Sequence, residues 1–553
     1  MPDDIAHINP SNAAGHLPRL NLVSFALPLA LFWAFAAGRI GTLMGQDEIS
    51  HYFKVAYLLF NEGYSHPEQL ITFSPHGYPL LLWGACSIFG EVSFMAMRIV
   101  GIICWTLAIS FVVWRSRRIS SGLVLCCMPA ACQAAVLLDI DETLLVPTCI
   151  MLWQASVCFL ERQTWGRAAL PAIMLCLCLW CRLTTPFIIC AVMLLLCRNW
   201  RLLLSYAAGM VLFLLSWWIY CHFTGVNFIG PFGYLLTSFM ENTSGSRAGG
   251  LSRMAQSILY LCLWGMNPML IALFLLDGWK RLRSWIASRH IDELDSAWLC
   301  GAAILLGYTL VGGSLFGFPK YQCPAFPFVA LSIASRFDKW HSPRENCLHF
   351  AAATVCVMIC VSFLYGDPLL LIRSTLRNPH ASASIASQMV PLSILLSYVL
   401  AFCVPFLMLR KRTGWKLALL LPAIVFNLCF SYRQNMARYA TGYIYGELGE
   451  CKRLAERIRK RGLEDKLLFL PAEVSHFLGG TDERSLAPGE WNDLDALTER
   501  IRKEKPAVVA YSYLVNRHSV TLAILCHNAL QETLKADYIA SQDASMTYWI
   551  RKE

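Results

Sequence analysis

The chain has 553 residues, of which 56% are hydrophobic and only 15% are charged. Soluble proteins carry about 25% charged residues, so this composition excludes an ordinary soluble protein and indicates a membrane protein. The formal net charge of +10 does not indicate nucleic-acid binding, because no basic run is interleaved with aromatic residues and the basic residues of membrane proteins collect in cytoplasmic loops.

A polar stretch is followed by an apolar run over residues 20–43, which is long enough to cross a membrane as a retained first helix. The first outer loop, residues 44–92, is more patterned than a plain linker. Residues 47–63 are predicted to form a helix with one apolar face. Residues 78–89 are apolar but too short to span comfortably, which is typical of an interfacial or re-entrant helix.

Thirteen transmembrane helices are predicted in all. Their approximate ranges are 20–43, 93–114, 119–138, 142–160, 168–182, 184–197, 202–223, 255–277, 297–316, 322–336, 347–365, 390–409 and 415–431. Every second loop is rich in Lys and Arg, provided that residues 168–197 form two helices broken at Arg182–Pro186. This alternation places the N-terminus in the cytoplasm and the C-terminal tail outside. The expected location is the inner (plasma) membrane of a cell, with several crossings.

The composition changes after the last predicted span, so residues 1–433 are predicted to form the transmembrane domain and residues 434–553 a small extracytoplasmic α/β domain. Helices are predicted at 450–461, 493–504 and 520–534, and strands at 466–470, 506–512, 536–540 and 546–551. Such alternation of helices and strands is typical of an α/β fold. No glycine-rich phosphate loop follows a predicted strand, which argues against a nucleotide site.

Two acidic clusters are predicted to lie at the outer face of the membrane. Asp47 and Glu48 follow the first span, and Asp139 and Asp141 lie between the third and fourth spans. A carboxylate beside an apolar surface has a raised proton affinity and can act as a general base. These four residues are therefore the candidate catalytic residues. The alternative interpretation is that they are solvated loop acids.

Basic residues are predicted at the same membrane face. Lys320 and Tyr321 follow the ninth span, and Arg182 ends the fifth. Because arginine binds phosphate oxygens as a fork and lysine binds them as a point charge, these positions suit a phosphate or diphosphate group. The alternative is that they are interfacial side chains whose charged ends reach for water.

Three histidines share the first outer loop: His51, His66 and His76. Their spacing matches no standard metal-ligand motif, so no metal site is assigned to them. The sequence requires no cofactor, and it leaves open whether a divalent cation takes part.

Five stretches of the chain form an ordered set: Gln46–Tyr52, His76–Trp83, Arg98, Leu138–Glu142 and Phe318–Pro324. In that order they resemble the Asp-Glu motif, the Lys-Pro-Pro-Leu-Tyr-Tyr-Trp segment, the arginine of the second span, the second acidic motif and the Arg-Tyr-Leu-Leu-Pro stretch of GT-C glycosyltransferases. The resemblance covers residues 20–340, and it is to the branch of protein O-mannosyltransferases and bacterial aminoarabinose transferases.

The resemblance implies an α-helical polytopic membrane protein of the GT-C type with an outer C-terminal domain. It implies an inverting transferase that moves a hexosyl or pentosyl group from a polyprenyl-phosphate-linked donor to a lipid, glycan or protein acceptor. By this likeness, Asp47 would be the general base or the acid that orients the acceptor, with Glu48 beside it. Asp141 would assist from the second outer loop, with Asp139 as the competing choice.

The same resemblance assigns a substrate-binding set. Lys320 and Arg182 would neutralise the phosphate of the donor, and Tyr321 lies next to Lys320. Three further candidate substrate-binding residues fall in the matching stretches: His76, Tyr52 and Arg98. The predicted partners are the lipid-linked donor, the acceptor and membrane lipids, and not nucleic acid.

Two departures from the family pattern affect the phosphate-binding half of the site. The lysine of the Lys-Pro-Pro segment is replaced by Gly77, with His76 beside it. The family's Leu-Thr-Lys-Gly-Pro stretch appears here as Leu183-Thr184-Thr185-Pro186, so its lysine is missing as well. Arg182 would substitute for it from one turn away. These differences predict a divergent branch.

Three other functions fit parts of the sequence. A transporter or flippase for a lipid-linked sugar would need charged residues or broken helices at the bilayer midplane, whereas the ionisable residues here lie mostly at one face. A non-catalytic scaffold leaves the acidic pair of the first outer loop unexplained. A ligase or polymerase of lipid-linked glycans usually has a large active loop late in the chain, and the loop at 366–389 is short.

Overall fold

The computed structural model contains two compact units, one with the helices between Leu22 and Lys339 and one with the elements from Tyr445 onward. The residues that the structure describes are 22–37, 54–67, 74–90, 94–126, 142–233, 268–288, 291–310, 320–339, 445–470, 493–512, 527–543 and 546–552, with single residues between them. The predicted spans at 347–365, 390–409 and 415–431 lie outside these residues.

The first unit consists of apolar helices. In chain order they are α1 (Leu22–Ala37), α2 (Lys54–Asn61), α3 (Gly77–Phe89), α4 (Phe94–Ser116), α5 (Ile119–Cys126), α6 (Glu142–Glu161), α7 (Trp165–Cys181), α8 (Thr185–Cys197), α9 (Trp200–Thr224), α10 (Pro268–Ser288), α11 (Glu293–Leu310) and α12 (Phe326–Lys339), with a 3-10 helix (Lys320–Ala325) directly before α12. Within the described part of the chain, three helical segments are long and apolar enough to cross a membrane: Ala96–Ser116, Thr143–Glu161 and Trp200–Thr224.

Helix α9 has the two faces expected of a helix at the edge of a membrane bundle. Its buried residues recur every four positions: Ser205, Gly209, Phe213, Trp217 and Cys221. Its other side exposes large apolar side chains: Val211, Leu215, Trp218, Ile219 and Phe223. A soluble monomer rarely exposes so continuous an apolar surface, whereas a lipid-facing helix does.

Small residues allow α7 and α9 to pack closely. A Cβ atom added to Gly209 would lie 2.5 Å from the carbonyl oxygen of Ala172 in α7. The hydroxyl of Ser205 also donates to the carbonyl of Ala168 at 2.5 Å. Membrane helices commonly associate through close backbone contact between small residues. Lipid tails are as apolar as the helices, so the hydrophobic effect does not drive the helices together and packing must.

Helix α10 ends further along the chain than the sequence predicts. The predicted span, 255–277, ends at residue 277, whereas the described helix runs over Pro268–Ser288. It continues because Arg281 donates to Asp277 one turn earlier, at 2.6 Å, and to Asp295 of α11, at 2.7 Å. The apolar pattern ends where these charges begin, but paired charges at helical spacing allow the helix to go on.

The described residues of the second unit form a four-stranded mixed sheet and three helices. The elements are α13 (Tyr445–Lys460), β1 (Leu468–Phe469), α14 (Leu494–Glu504), β2 (Val508–Ser512), α15 (Asn528–Asp537), β3 (Tyr538–Asp543) and β4 (Met546–Arg551). The strand order is β1-β2-β4-β3, in which β1 and β2 are parallel and the other neighbours are antiparallel.

Helices cover both faces of this sheet. Leu468, Val508 and Tyr548 point to the face that packs against α13. Phe469, Val509 and Trp549 point to the face that packs against α14 and α15. Successive strand residues alternate between the two faces, so β1 and the start of β2 are apolar on both sides and both helical layers bury apolar surface.

Candidate functional site

The four candidate catalytic acids lie outside the described residues, and so does one substrate-binding candidate: Asp47, Glu48, Asp139, Asp141 and Tyr52. Their roles therefore stay predictions. Helix α6 begins directly after the second acidic cluster. Four predicted substrate-binding residues do lie within the described part of the chain: Arg182, Tyr321, His76 and Arg98.

Arg182 lies in a break between two helices. Helix α7 ends at Cys181, and Arg182 itself is extended, with φ −164° and ψ 145°. Helix α8 begins at Thr185 with Pro186 in its first turn, where the missing N–H of proline needs no partner. The sequence predicts a break at Arg182–Pro186, and the structure has it there.

The break brings Arg182 to the segment that follows the ninth predicted span. The guanidinium carbon of Arg182 lies 4.5 Å from the centroid of the Tyr321 ring, in a cation–π contact. Tyr321 belongs to the 3-10 helix that begins at Lys320, a residue whose side chain lies outside the described set. Such a contact is worth about 0.5–2 kcal/mol. Two segments that were each predicted to bind phosphate are therefore neighbours.

Tyr308 of α11 joins these segments, and sequence reasoning missed it. Its ring stacks on that of Tyr321, with centroids 5.6 Å apart and planes inclined by 24°. Its hydroxyl lies 2.8 Å from Oγ1 of Thr184 and 2.6 Å from Oγ1 of Thr185. The signal in the sequence was the single tyrosine of α11, directly after the apolar run over residues 297–307.

His76 directly precedes α3, and its side chain is 1% exposed. Nε2 lies 3.0 Å from the carbonyl oxygen of Leu70, and Nδ1 lies 2.8 Å from the hydroxyl of Tyr220. Because a carbonyl only accepts, the neutral ring carries its hydrogen on Nε2 and accepts from Tyr220 at Nδ1. Nδ1 thus joins the first outer loop to α9, and Nε2 makes a bond within that loop. The predicted contact of His76 with substrate stays a prediction.

Aromatic side chains surround His76. Trp217 and Tyr220 of α9 each lie edge-on to the imidazole at 5.6 Å, and Trp180 of α7 lies edge-on to Trp217 at 5.4 Å. The indole N–H of Trp180 donates to the hydroxyl of Ser216 at 2.9 Å. Aromatic rings with polar edges are enriched at the boundary between membrane and water. This cluster joins the first outer loop to the helix end beside Arg182.

Lowering the pH is expected to destabilise the protein through His76. Burial lowers the pKa of His76 from 6.5 to about 4. The unfolded chain therefore binds a proton between pH 6.5 and pH 4 that the folded protein does not, and this costs the folded state roughly 3 kcal/mol over that window. Above pH 6.5 the imidazole is neutral in both states, so this cost to the folded state is absent.

Thermal unfolding of the detergent-purified protein measures this effect, with His76→Asn as the variant that cannot titrate. The difference in unfolding temperature between the native protein and His76→Asn should shrink as the pH falls from neutral to 4. A difference that stays constant across this range would contradict the lowered pKa of His76.

Gly77 stands where the resembling family has a lysine, and the structure gives a reason. A Cβ atom added to Gly77 would lie 2.5 Å from the carbonyl oxygen of Trp180 and 2.8 Å from its carbonyl carbon. These are backbone atoms near the end of α7, so they cannot rotate away. The start of α3 can approach α7 in this way only with glycine, which excludes a lysine at position 77 in this arrangement.

Gly77→Ala is expected to destabilise the protein by roughly 1–3 kcal/mol, because the added methyl group would overpack the contact with Trp180. Gly84→Ala is the matched control, since it lies in the same helix and has nothing within 4 Å of its added Cβ. That change should be neutral or stabilising by about 0.5–1 kcal/mol through helix propensity. Unfolding temperatures in one detergent compare them, and equal shifts for the two variants would show that the close approach is unimportant.

Arg98 lies in the second turn of α4 and is fully buried, at 0% exposure. A charged side chain in such a place is costly and is usually kept for a functional reason. This burial agrees with a role at the site, and the predicted substrate contact stays a prediction. Within the described part of the chain, no group of three or more His, Cys, Asp or Glu residues is placed to hold a metal ion.

Two solved structures of ArnT from Cupriavidus metallidurans share the architecture of this chain. The apo form aligns with a TM-score of 0.61 at 16% identity, and the form bound to undecaprenyl phosphate aligns with 0.64 at 15% identity. Each alignment covers 96% of this chain and 97% of ArnT. An oligosaccharyltransferase from Archaeoglobus fulgidus aligns over 96% of this chain and 73% of its own, at 11% identity, with a TM-score of 0.49.

No family model matches the sequence, and no curated protein matches it significantly. At 15–16% identity the likeness to ArnT concerns the fold. ArnT is an aminoarabinose transferase of the GT-C type. The chain therefore has a mostly helical fold similar to that of ArnT, and the resemblance predicted from its motifs is confirmed at the level of the fold.

Proposed function

We propose that this protein is a membrane glycosyltransferase that moves a sugar from a polyprenyl-phosphate-linked donor to an acceptor at the outer membrane face. The observation that carries the proposal is the contact between Arg182 and Tyr321, which joins two segments predicted separately to bind phosphate. The fold supports it as well, because ArnT has the same fold and has been crystallised with undecaprenyl phosphate.

In the proposed reaction, a hydroxyl oxygen of the acceptor attacks the anomeric carbon of the donor sugar. The bond between that carbon and the phosphate oxygen breaks, and its electron pair leaves with the polyprenyl phosphate. The proton of the acceptor hydroxyl passes to Asp47, which acts as general base. A single displacement of this kind inverts the anomeric centre.

The leaving group explains the choice of side chains. A phosphate monoester is already a stable anion, so the site has to supply positive charge more than it has to supply a strong acid. Lys320 supplies a point charge and Arg182 a planar fork of donors. Glu48 orients the loop around Asp47 in this proposal.

Release of undecaprenyl phosphate tests the proposal directly. Membranes that contain the protein would be given an undecaprenyl-phosphate-linked pentose or hexose with a labelled sugar, and both products would be followed by mass spectrometry. We expect release of undecaprenyl phosphate in step with transfer of the sugar, above the level of membranes that lack the protein. Movement of intact donor between leaflets, without release of undecaprenyl phosphate, would replace the proposal with a flippase.

A further inference from the structure

Two threonine hydroxyls at the start of α8 bond to a side chain of another helix. Thr184 is the N-cap of α8, where a threonine hydroxyl usually accepts a bond from the helix backbone, yet its side chain makes no capping bond. Thr185 follows it and is fully buried. Both hydroxyls bond instead to the hydroxyl of Tyr308, at 2.8 Å and 2.6 Å.

These bonds are chemically complementary. A phenolic hydroxyl can donate one hydrogen bond and accept another, so Tyr308 can donate to one threonine and accept from the other. The ring of the same tyrosine also stacks on Tyr321, so Tyr308 contacts both the start of α8 and the 3-10 helix.

The contacts of Tyr308 lead back to Arg182 by two routes. Tyr308 stacks on Tyr321, and the guanidinium of Arg182 lies on the Tyr321 ring at 4.5 Å. Tyr308 also bonds to Thr184 and Thr185, which follow Arg182 in the chain. Tyr308 therefore fixes both the backbone that follows Arg182 and the aromatic ring of Tyr321, on which the Arg182 guanidinium lies.

We propose that Tyr308 is a positioning residue, which sets the location of the Arg182 guanidinium for binding the phosphate of a polyprenyl-phosphate lipid. This inference rests on the proposed function of the site. A guanidinium recognises phosphate as a rigid fork, so binding depends on where the fork is held as well as on its charge. Tyr308 itself acts through Arg182.

Binding of undecaprenyl phosphate to the full-length protein in detergent tests the inference. Tyr308→Phe keeps the stack on Tyr321 but loses both threonine bonds, and it is expected to raise the Kd for undecaprenyl phosphate about 3–10-fold. Tyr308→Leu, which loses the stack as well, should raise the Kd further. In an Arg182→Gln background, Tyr308→Phe should have no further effect, because the residue acts through Arg182.

Tyr206→Phe is the matched control. It removes another buried tyrosine hydroxyl, which bonds to Ser156 at 2.7 Å between α9 and α6. We expect this change to lower the unfolding temperature and to leave the Kd unchanged. If Tyr308→Phe does not fold, Thr185→Val removes the shorter of the two bonds while keeping both rings, and it should raise the Kd in the same direction.

The outcomes separate this inference from the proposed function. If the native protein does not bind undecaprenyl phosphate, or if Arg182→Gln binds it normally, the phosphate site itself is wrong and the role of Tyr308 falls with it. If Arg182→Gln weakens binding while Tyr308→Phe and Thr185→Val do not, the role of Tyr308 alone is overturned. If Tyr308→Phe raises the Kd by the same factor in the native protein and in the Arg182→Gln variant, the role of Tyr308 is also overturned.

Discussion

Asp47→Asn is expected to lower the rate of sugar transfer by roughly 10²–10⁴-fold, the range that a general base contributes. Asparagine has nearly the same shape as aspartate but cannot take the proton of the acceptor hydroxyl. Release of undecaprenyl phosphate from a labelled donor in membranes measures the rate. Binding of undecaprenyl phosphate should not weaken, because a carboxylate makes no attractive electrostatic contact with an anion.

Glu48→Gln is the matched control for this prediction, since it makes the same chemical change at the next residue. A role for Glu48 in orienting the loop predicts a smaller loss of rate than Asp47→Asn produces. Asp141→Asn and Asp139→Asn should differ from each other, because one of them is proposed to assist from the second acidic cluster. If the folded Asp47→Asn variant transfers sugar at a nearly normal rate, Asp47 is not the general base.

Much of the helical architecture could be predicted because it follows from local apolar runs. The helix at 142–161 and the helix at 200–224 differ from the predicted spans by no more than two residues at either end. The end of helix α10 was predicted too early because its second half carries charge. The pairing of Asp277 with Arg281 is visible as a four-residue spacing, but the bond from Arg281 to Asp295 depends on how α10 and α11 pack.

The candidate site could be predicted only in part for the same reason. Arg182 and Tyr321 each follow an apolar run, so their level in the membrane is encoded locally, whereas their mutual contact is a product of tertiary packing. The role of Tyr308 could not be found from spacing, because its two threonine partners lie 124 and 123 residues away in the chain. The loss of the expected lysine at Gly77 is explained only by the nearby backbone of Trp180.

Arg182→Gln is expected to raise the Kd for undecaprenyl phosphate by roughly 10–100-fold, because a hydrogen bond to a charged group is worth about 1.5–3 kcal/mol. Arg182→Lys should recover only part of this loss. Lysine restores the charge but lacks the planar group that lies on Tyr321 and forks toward two phosphate oxygens. Equilibrium binding to the full-length protein in detergent measures all three proteins.

Arg198→Gln is the control, because it removes an exposed arginine at the other end of the same helix, α8. Its Kd should match that of the native protein, and added salt should weaken native binding more than it weakens binding by Arg182→Gln. An unchanged Kd for Arg182→Gln would show that Arg182 does not bind the phosphate and is only an interfacial side chain. If the Asp47 variant loses rate while keeping its affinity, and the Arg182 variant loses affinity, then the base and the phosphate contact are separable parts of one site.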